Sequence, residues 1–272
     1  MIVLELARIA NHMWAFGGVG GPTGMYTSMY WSVSDRDKVL DLFEELSGAR
    51  IYHMYIIPGG VRKDFPPHFE EKLVKLLDYI EGRLPEYETF VLKNRILHTR
   101  LRGIATIDTE TCLKIGVTGI GLRATGVPYD IRKIAPYLFY DRVEFDVPTA
   151  TEGDALARIS LKPQEIKQSI RIIRQALEYM PSGPVNTKIA DGNGLRIRVP
   201  KGMAYARVES TRGEYGYLVV SDGEEKPYRV AVRGASYPQG LYGVEHLMPG
   251  TRIDDVPIWL DTMGVCAPEI DR

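Results

Sequence analysis

The last twelve residues, Asp261 to Arg272, place a thiol among charged groups. Cys266, one of only two cysteines, lies three residues before Glu269, with Asp271 and Arg272 closing the chain. A thiol beside a carboxylate and a cation could ligate a metal, act as a thiolate, or simply anchor an end, and composition alone leaves these open. Two other segments place arginine among small residues. Residues 47–61 carry Arg50, Tyr52 and His53 ahead of Pro58-Gly59-Gly60, and residues 119–133 carry Arg123, Asp130 and Arg132 among glycines. An arginine in such a loop brings a permanent charge close to the backbone, which suits an anionic ligand or a cluster of net negative charge. The alternative is a buried pair, Arg123 or Arg132 with Asp130, that fixes the loop. His12 and His53 sit among apolar residues and read either as buried hydrogen-bonded histidines or as functional ones, whereas His68 and His98 border charged helical stretches. His246 reads as the end of a short helix. No GxSxG, HExxH or CxxC is present, so a local hydrolase triad, a zincin motif and a four-cysteine metal site are not indicated.

The elements that must position these groups follow from periodicity. A helix is in progress at the start, with Leu4, Ala7, Arg8, Asn11 and His12 at helical spacing. Gly17 to Gly24 predicts a loop, without the lysine a phosphate-binding loop needs. Val39, Leu42, Phe43 and Leu46 predict a helix that begins near Asp35 and Asp37 and ends at Gly48, where glycine makes a left-handed cap cheap. Phe69, Leu73, Leu76, Leu77, Ile80 and Leu84 predict a second helix, and Pro163 to Met180 a third, opened by Pro163 and stopped by Pro181. Beyond it, 204–209, 215–220 and 228–233 read as strands, with Ser221-Asp222-Gly223 as a hairpin turn and 242–248 as a short helix. The expectation is α+β: a helical core over 1–181 with site-bearing loops, a surface loop over 182–194, and a small antiparallel region with a tail over 195–272.

A chain of 272 residues that is 44% hydrophobic and 25% charged can bury a substantial core. A formal net charge of -1 without a basic run argues against nucleic acid as partner. No apolar run reaches the ~20 residues of a spanning helix, and the start has no secretory cleavage pattern. Two cysteines alone point to a reducing compartment.

Taken together, ELARIANH (5–12), LFEELSGARIYHMYIIPGGV (42–61), GLRATGVPYDIRKIAPYLFYDRVEFDVP (121–148), GD with QSIRIIRQAL (153–154 and 168–177), VESTRGEYGYLVVSDGEEKPYRVAVRGAS (208–236) and EIDR (269–272) resemble the large, hydrogenase-like subunit of NADH:quinone oxidoreductase. Members of that family are relatives of the nickel–iron hydrogenase large subunit and occur across complex I and the group 4 membrane-bound hydrogenases. The resemblance implies the mainly helical hydrogenase large-subunit core, with the family's N-terminal sheet domain absent from this chain. It implies a peripheral component on the cytoplasmic face of the membrane, attached through its partners. Those partners are a small iron–sulfur subunit, other peripheral-arm subunits and membrane ion-pumping subunits. The chain alone would bind no cofactor, the iron–sulfur cluster being the partner's. Where the family's patterns differ, Pro22 takes the place of an aspartate and Tyr52 that of a histidine near the terminal cluster, with His53 one place on. Cys266 and Glu269 align with the two cysteines of the hydrogenase tail, so Cys266 is the remnant of a nickel-ligand position and a complete nickel–iron centre is disfavoured, a carboxylate being a poor substitute for a thiolate on a soft metal. The implied cavity comprises Cys266, Glu269 and His53 as reacting groups, with Arg50, Tyr52, Arg123, Asp130 and Arg272 around them. The implied acceptor is a sulfur compound, as in membrane-bound sulfane reductases, or a quinone. A non-catalytic scaffold subunit and a nickel–iron hydrogenase large subunit are the alternatives.

Overall fold

The structure is a computed structural model that describes residues 1–187 and 198–271. Helix α1 (Ile2–Gly18) turns Leu6, Ile9, Met13 and Phe16 inward, each with no exposed surface. It packs along α3 (Tyr26–Ser47) on one side and α9 (Ala155–Glu178) on the other. The glycine-rich stretch between α1 and α3 is not a loop. Helix α1 runs on through Gly18, Gly20–Thr23 forms α2, and only Gly24 takes the left-handed conformation, at φ 78°. These glycines permit close approach: a Cβ on Gly20 would sit 2.7 Å from the Met25 carbonyl and the Ser28 hydroxyl.

Helix α3 therefore begins nine residues before Asp35, which lies buried in mid-helix and accepts hydrogen bonds from Tyr79, Arg83 and Tyr87. It ends at Gly48, at φ 84°, as the glycine predicts. A two-residue hairpin, β1 (Ile56–Ile57) and β2 (Gly60–Val61), leads to α4 (Phe69–Tyr87), whose apolar stripe closes the main core against α3 and α9. A π turn (Glu88–Leu92) and four short helices follow: α5 (Arg95–Leu101), α6 (Thr109–Ile115), α7 (Ile120–Arg123) and α8 (Ile131–Ile134).

Helix α9 starts eight residues before the expected Pro163. Asp154 caps it by accepting from the Ala157 N–H at 2.8 Å, and a second oxygen accepts from the Gly103 N–H at 2.7 Å. Pro163 lies inside the helix. Of the expected loop 182–194, residues 188–194 lie outside the described residues; the Val185 carbonyl accepts from the Val61 N–H, so the preceding stretch lies against the β1–β2 hairpin.

The sheet is antiparallel, β3 (Gly202–Ser210), β4 (Gly213–Ser221) and β5 (Arg229–Arg233), in the order β3-β4-β5 with Val208 opposite Tyr215 and Leu218 opposite Ala231. After it come a π turn (Pro238–Tyr242), α10 (Gly243–Leu247), α11 (Val256–Met263) and α12 (Ala267–Ile270). Trp259 on α11 centres a second core with Cys112, Leu122 and Met263. The mixture of helices with a small C-terminal antiparallel sheet is the α+β architecture the sequence predicts. Among the described residues no helix is long and apolar enough to cross a membrane.

Candidate functional site

Four helices and one strand end bring seven charged residues together out of contact with water. Glu5 on α1 accepts from Arg132 at 3.1 Å, Tyr140 at 2.6 Å, Ser169 at 2.6 Å and Arg8 at 3.3 Å. Burial alone would raise its carboxyl, but these cations and hydroxyls hold it at about 2. Arg132 grips Asp130 with two nitrogens, at 2.7 and 3.0 Å. Arg123 donates to Glu165 at 2.8 Å, to Glu209 at 2.8 Å and to the Tyr129 carbonyl at 2.9 Å, while Asp130 is 3.9 Å away. Arg8 reaches the backbone carbonyls of Glu209 and Ser210 on β3. Three guanidinium groups thus meet four carboxylates, and burial pushes the Glu209 carboxyl up even beside Arg123.

His12 lies within 2.8 Å of Glu165. Burial lowers its imidazole to about 4 against the opposing pull of Glu165, so it is neutral near pH 7 and Nε2–H donates. Its Nδ1 has no partner, which agrees with a neutral ring whose second nitrogen carries only a lone pair. Arg123 and Asp130 are thus members of a closed ion network, the loop-fixing alternative of the two that their sequence allows. Both are wholly buried.

The tail forms a second group. Cys266 is half-buried at the start of α12, and its N–H donates to the Ser236 hydroxyl at 3.1 Å. That hydroxyl donates to one Glu269 oxygen, and the Ser236 N–H donates to the other at 3.3 Å. Arg212, in the turn between β3 and β4, donates to the Gly264 carbonyl at 2.8 Å and stands 3.6 Å from Glu269. Gly264, at φ 75°, ends α11 and turns the chain back toward Ser236. Cys266 and Glu269 therefore share one serine, with a guanidinium beside the carboxylate. Arg272 lies outside the described residues.

The third group is the segment after α3. Arg50 spans Asp37, Asp41 and Glu44 on the exposed face of α3. Tyr52 is 80% exposed at φ 54°, and His53 stacks on Phe43 with ring centroids 4.4 Å apart. Among the described residues no hydrogen bond, ion pair or ring contact joins Arg50, Tyr52 or His53 to the other two groups. The buried network and the tail do communicate: Glu209 and Arg212 stand three residues apart at the end of β3, one in each group.

Sequence reasoning does not single out Glu5, Arg8, Arg212, Ser236 or Glu165 as site residues. One signal for part of this set is present, since Glu5, Arg8 and His12 recur at spacings of three and four on an otherwise apolar helix. Arg158, Lys162, Glu165 and Ser169 do the same on α9.

Comparison with known proteins gives the family. Residues 22–272 match the family described as Respiratory-chain NADH dehydrogenase, 49 Kd subunit. A subunit of the NADH-quinone oxidoreductase of Thermosipho melanesiensis is 68% identical over 272 residues, covering 100% of this chain and 74% of the relative. A subunit of the F(420)H(2) dehydrogenase of Methanosarcina mazei is 38% identical, covering 100% of this chain and 73% of the relative. Among solved structures, a chain of the membrane-bound sulfane sulfur reductase, an archaeal respiratory membrane complex, superposes with a TM-score of 0.94 at 42% identity, over 100% of this chain and 74% of that one. The resemblance expected from the quoted segments holds along the whole chain: it belongs to the family of the 49 kDa subunit of respiratory-chain NADH dehydrogenase, and it is an oxidoreductase subunit of a membrane-bound respiratory complex.

Proposed function

We propose that this chain forms, with an iron–sulfur subunit, the place where electrons leave a membrane-bound complex for a sulfur acceptor, the reduction being coupled to ion movement by membrane subunits. It would sit in the peripheral arm on the cytoplasmic face, held to the membrane by its partners. The observation that carries this reading is the tail group: a half-buried thiol at Cys266, a carboxylate at Glu269 and the Arg212 guanidinium, all positioned through Ser236 and Gly264. The 42% identity to a chain of a sulfane sulfur reductase supports the acceptor class.

The chemistry is thiol exchange. A Cys266 thiolate attacks one sulfur of an S–S bond, the other sulfur leaves as a thiolate, and a mixed disulfide forms on Cys266. Two electrons delivered by the redox partner then cleave that disulfide and restore the Cys266 thiolate, releasing the second sulfur as a thiolate. Arg212 stabilises the anionic sulfur that develops at each stage. A nickel–iron centre does not fit these residues. The tail offers one thiol, and Glu269 is already engaged by Ser236 and faces Arg212, whereas such a centre needs soft thiolate donors.

A second reading, a non-catalytic scaffold that seats the iron–sulfur subunit, is favoured by one specific observation. Arg50 and Arg123 are both ion-paired with carboxylates of this chain. Cys266→Ser in the assembled complex separates the two. The reductase reading expects polysulfide reduction to fall by roughly 100-fold or more with assembly intact; an unchanged rate would leave the scaffold reading standing and remove the thiol's role.

A further inference from the structure

In the thiol exchange proposed for the tail, Arg212 supplies the positive charge, yet it stands in a turn, where side chains are ordinarily held least firmly. The turn joins β3 to β4, with Ser210 opposite Gly213 across it. Hydrogen bonds pin its backbone at both ends of the arginine. The Arg212 N–H donates to the Ser210 hydroxyl at 3.1 Å, and the Arg212 carbonyl accepts from Nε2 of Gln239 at 3.2 Å. Gln239 lies in the π turn after the sheet, has no exposed surface, and donates from the same Nε2 to the Thr118 carbonyl at 3.3 Å. The Thr118 hydroxyl in turn accepts from the Glu214 N–H at 3.0 Å. The turn is thus slotted into the Thr118–Gly119 corner, where a Cβ on Gly119 would overlap the Arg212 carbonyl.

Gln239 is itself fixed from the helix that leads into the tail. Its backbone carbonyl accepts from Nε1 of Trp259 on α11 at 2.9 Å. Arg212 Nε donates to the carbonyl of Gly264, the residue that ends that same helix, at 2.8 Å. A closed ring therefore runs from Trp259 to Gln239, to Arg212, to Gly264 and back along α11. Cys266 follows Gly264 by two residues, so the ring sets the guanidinium relative to the chain that bears the thiol. Nη1 reaches only the Thr211 hydroxyl, at 3.4 Å, and Nη2 makes no hydrogen bond among the described residues, which leaves donors for an anion.

The other end of the Gln239 amide shows what the residue is for. Its Oε1 is buried and has no partner among the described residues. An unpaired buried acceptor is a cost that filling space does not require, since an apolar side chain would fill it without one. The use of the side chain lies in its N–H donors, and both carbonyls they reach belong to the corner that holds the Arg212 turn.

We infer that Gln239 is a positioning residue for the acceptor site, its amide holding the Arg212 turn so that the guanidinium meets the sulfur anion formed at the tail. This rests on the reading of the tail as an acceptor site. Gln239 exchanges no proton or electron; it acts through Arg212. A preorganised cation stabilises developing charge only where that charge appears, and a misplacement of about 1 Å can cost roughly 100-fold in rate.

The test uses the assembled complex with polysulfide as acceptor. Gln239→Met keeps the length and bulk of the side chain and removes both donors. Gln239→Glu keeps the shape and turns an oxygen toward the two carbonyls. Each should lower kcat by roughly 10-fold or more while KM moves by less than about threefold, with reduction of the complex's own clusters by its donor unchanged. Combination with Arg212→Leu separates positioning from support of the fold. Arg212→Leu alone should slow the reaction by roughly 100-fold, and adding Gln239→Met should slow it no further, because the effect of Gln239 passes through the missing guanidinium. Losses that multiply in the double variant would overturn the proposal, and so would either Gln239 variant at the original kcat. Where Gln239→Met does not assemble, Gln239→Glu carries the same cycle; failure of both to assemble would mark Gln239 as structural and overturn the proposal too. Arg212→Leu at the original rate would remove the charge from the tail reading and this proposal with it, whereas a slow Arg212→Leu beside an unaffected Gln239→Met overturns the proposal alone. Should Cys266→Ser prove silent while the cycle closes as expected, the thiol mechanism fails and the positioning of Arg212 stands.

Discussion

His12 shows how far one buried side chain can set the behaviour of the chain. Its imidazole sits at about 4 because burial disfavours the charged form more than Glu165 favours it. In the unfolded chain a histidine titrates near about 6.5, so between these values the unfolded state binds the extra proton and stability rises with pH. The contribution is complete above about pH 6.5 and is lost as pH falls to about 4, for a total of roughly 3 kcal/mol. Glu5 works in the same direction lower down. Its carboxyl is held at about 2, so the stability it adds is present above about pH 4.3 and is lost as pH falls to about 2. His53, whose imidazole is lowered by burial, adds to the upper step. Urea unfolding of the chain at a series of pH values should therefore show two acid steps. In His12→Gln, which keeps a donor toward Glu165 but does not titrate, the upper step should shrink sharply and the lower one persist. An upper step of undiminished size in that variant would mean the proton is taken up elsewhere.

At the scale of elements, what was legible depended on whether the cause was local. The stripes of α3 and α4, the left-handed Gly48 and the three-strand sheet all follow from spacing within a dozen residues, and the structure has them. Pro163 misleads because proline at a helix start is the common case, whereas here the start is set by Asp154, which joins α9 to the Gly103 turn some fifty residues earlier in the chain. The glycines between α1 and α3 mislead for a similar reason: they are small because α3 crosses close by, a fact no local pattern contains. The ion network was the least legible, since Arg8 meets β3 and Arg132 meets α1 across more than a hundred residues. Cys266 and Glu269 could be paired from their spacing and the family likeness, but Ser236, which joins them, is thirty residues upstream of Cys266. The Asp154 cap gives a direct check. Asp154→Ala removes acceptors from two backbone donors and should cost about 1–2 kcal/mol or slightly more, while Asp154→Asn, which retains a capping oxygen, should cost clearly less. Equal losses in thermal unfolding would assign the effect to charge rather than to the cap.

For the whole molecule, the unmet demand is on the surface. Ile51, Tyr52 and Met54 are 57%, 80% and 68% exposed in one short segment, and Tyr52 and Met54 hold φ values of 54° and 41°. Left-handed backbone costs a non-glycine residue about 1–2 kcal/mol, and adjacent exposed apolar side chains cost solubility. Arg50, locked to three carboxylates on α3, fixes the base of this segment, so the strain is built in rather than relaxed by movement. A subunit of a larger complex has a use for such a feature: buried against a neighbour, each of these side chains contributes about 1.5–3 kcal/mol to association. Replacing Ile51, Tyr52 and Met54 together by serine should therefore leave the unfolding of the isolated chain within about 1 kcal/mol of the original, since little buried surface is removed. The same variant should lose its place in the complex, measured as the fraction of chain that co-purifies with the membrane-bound assembly. A variant that assembles as well as the original would free this segment from the interface.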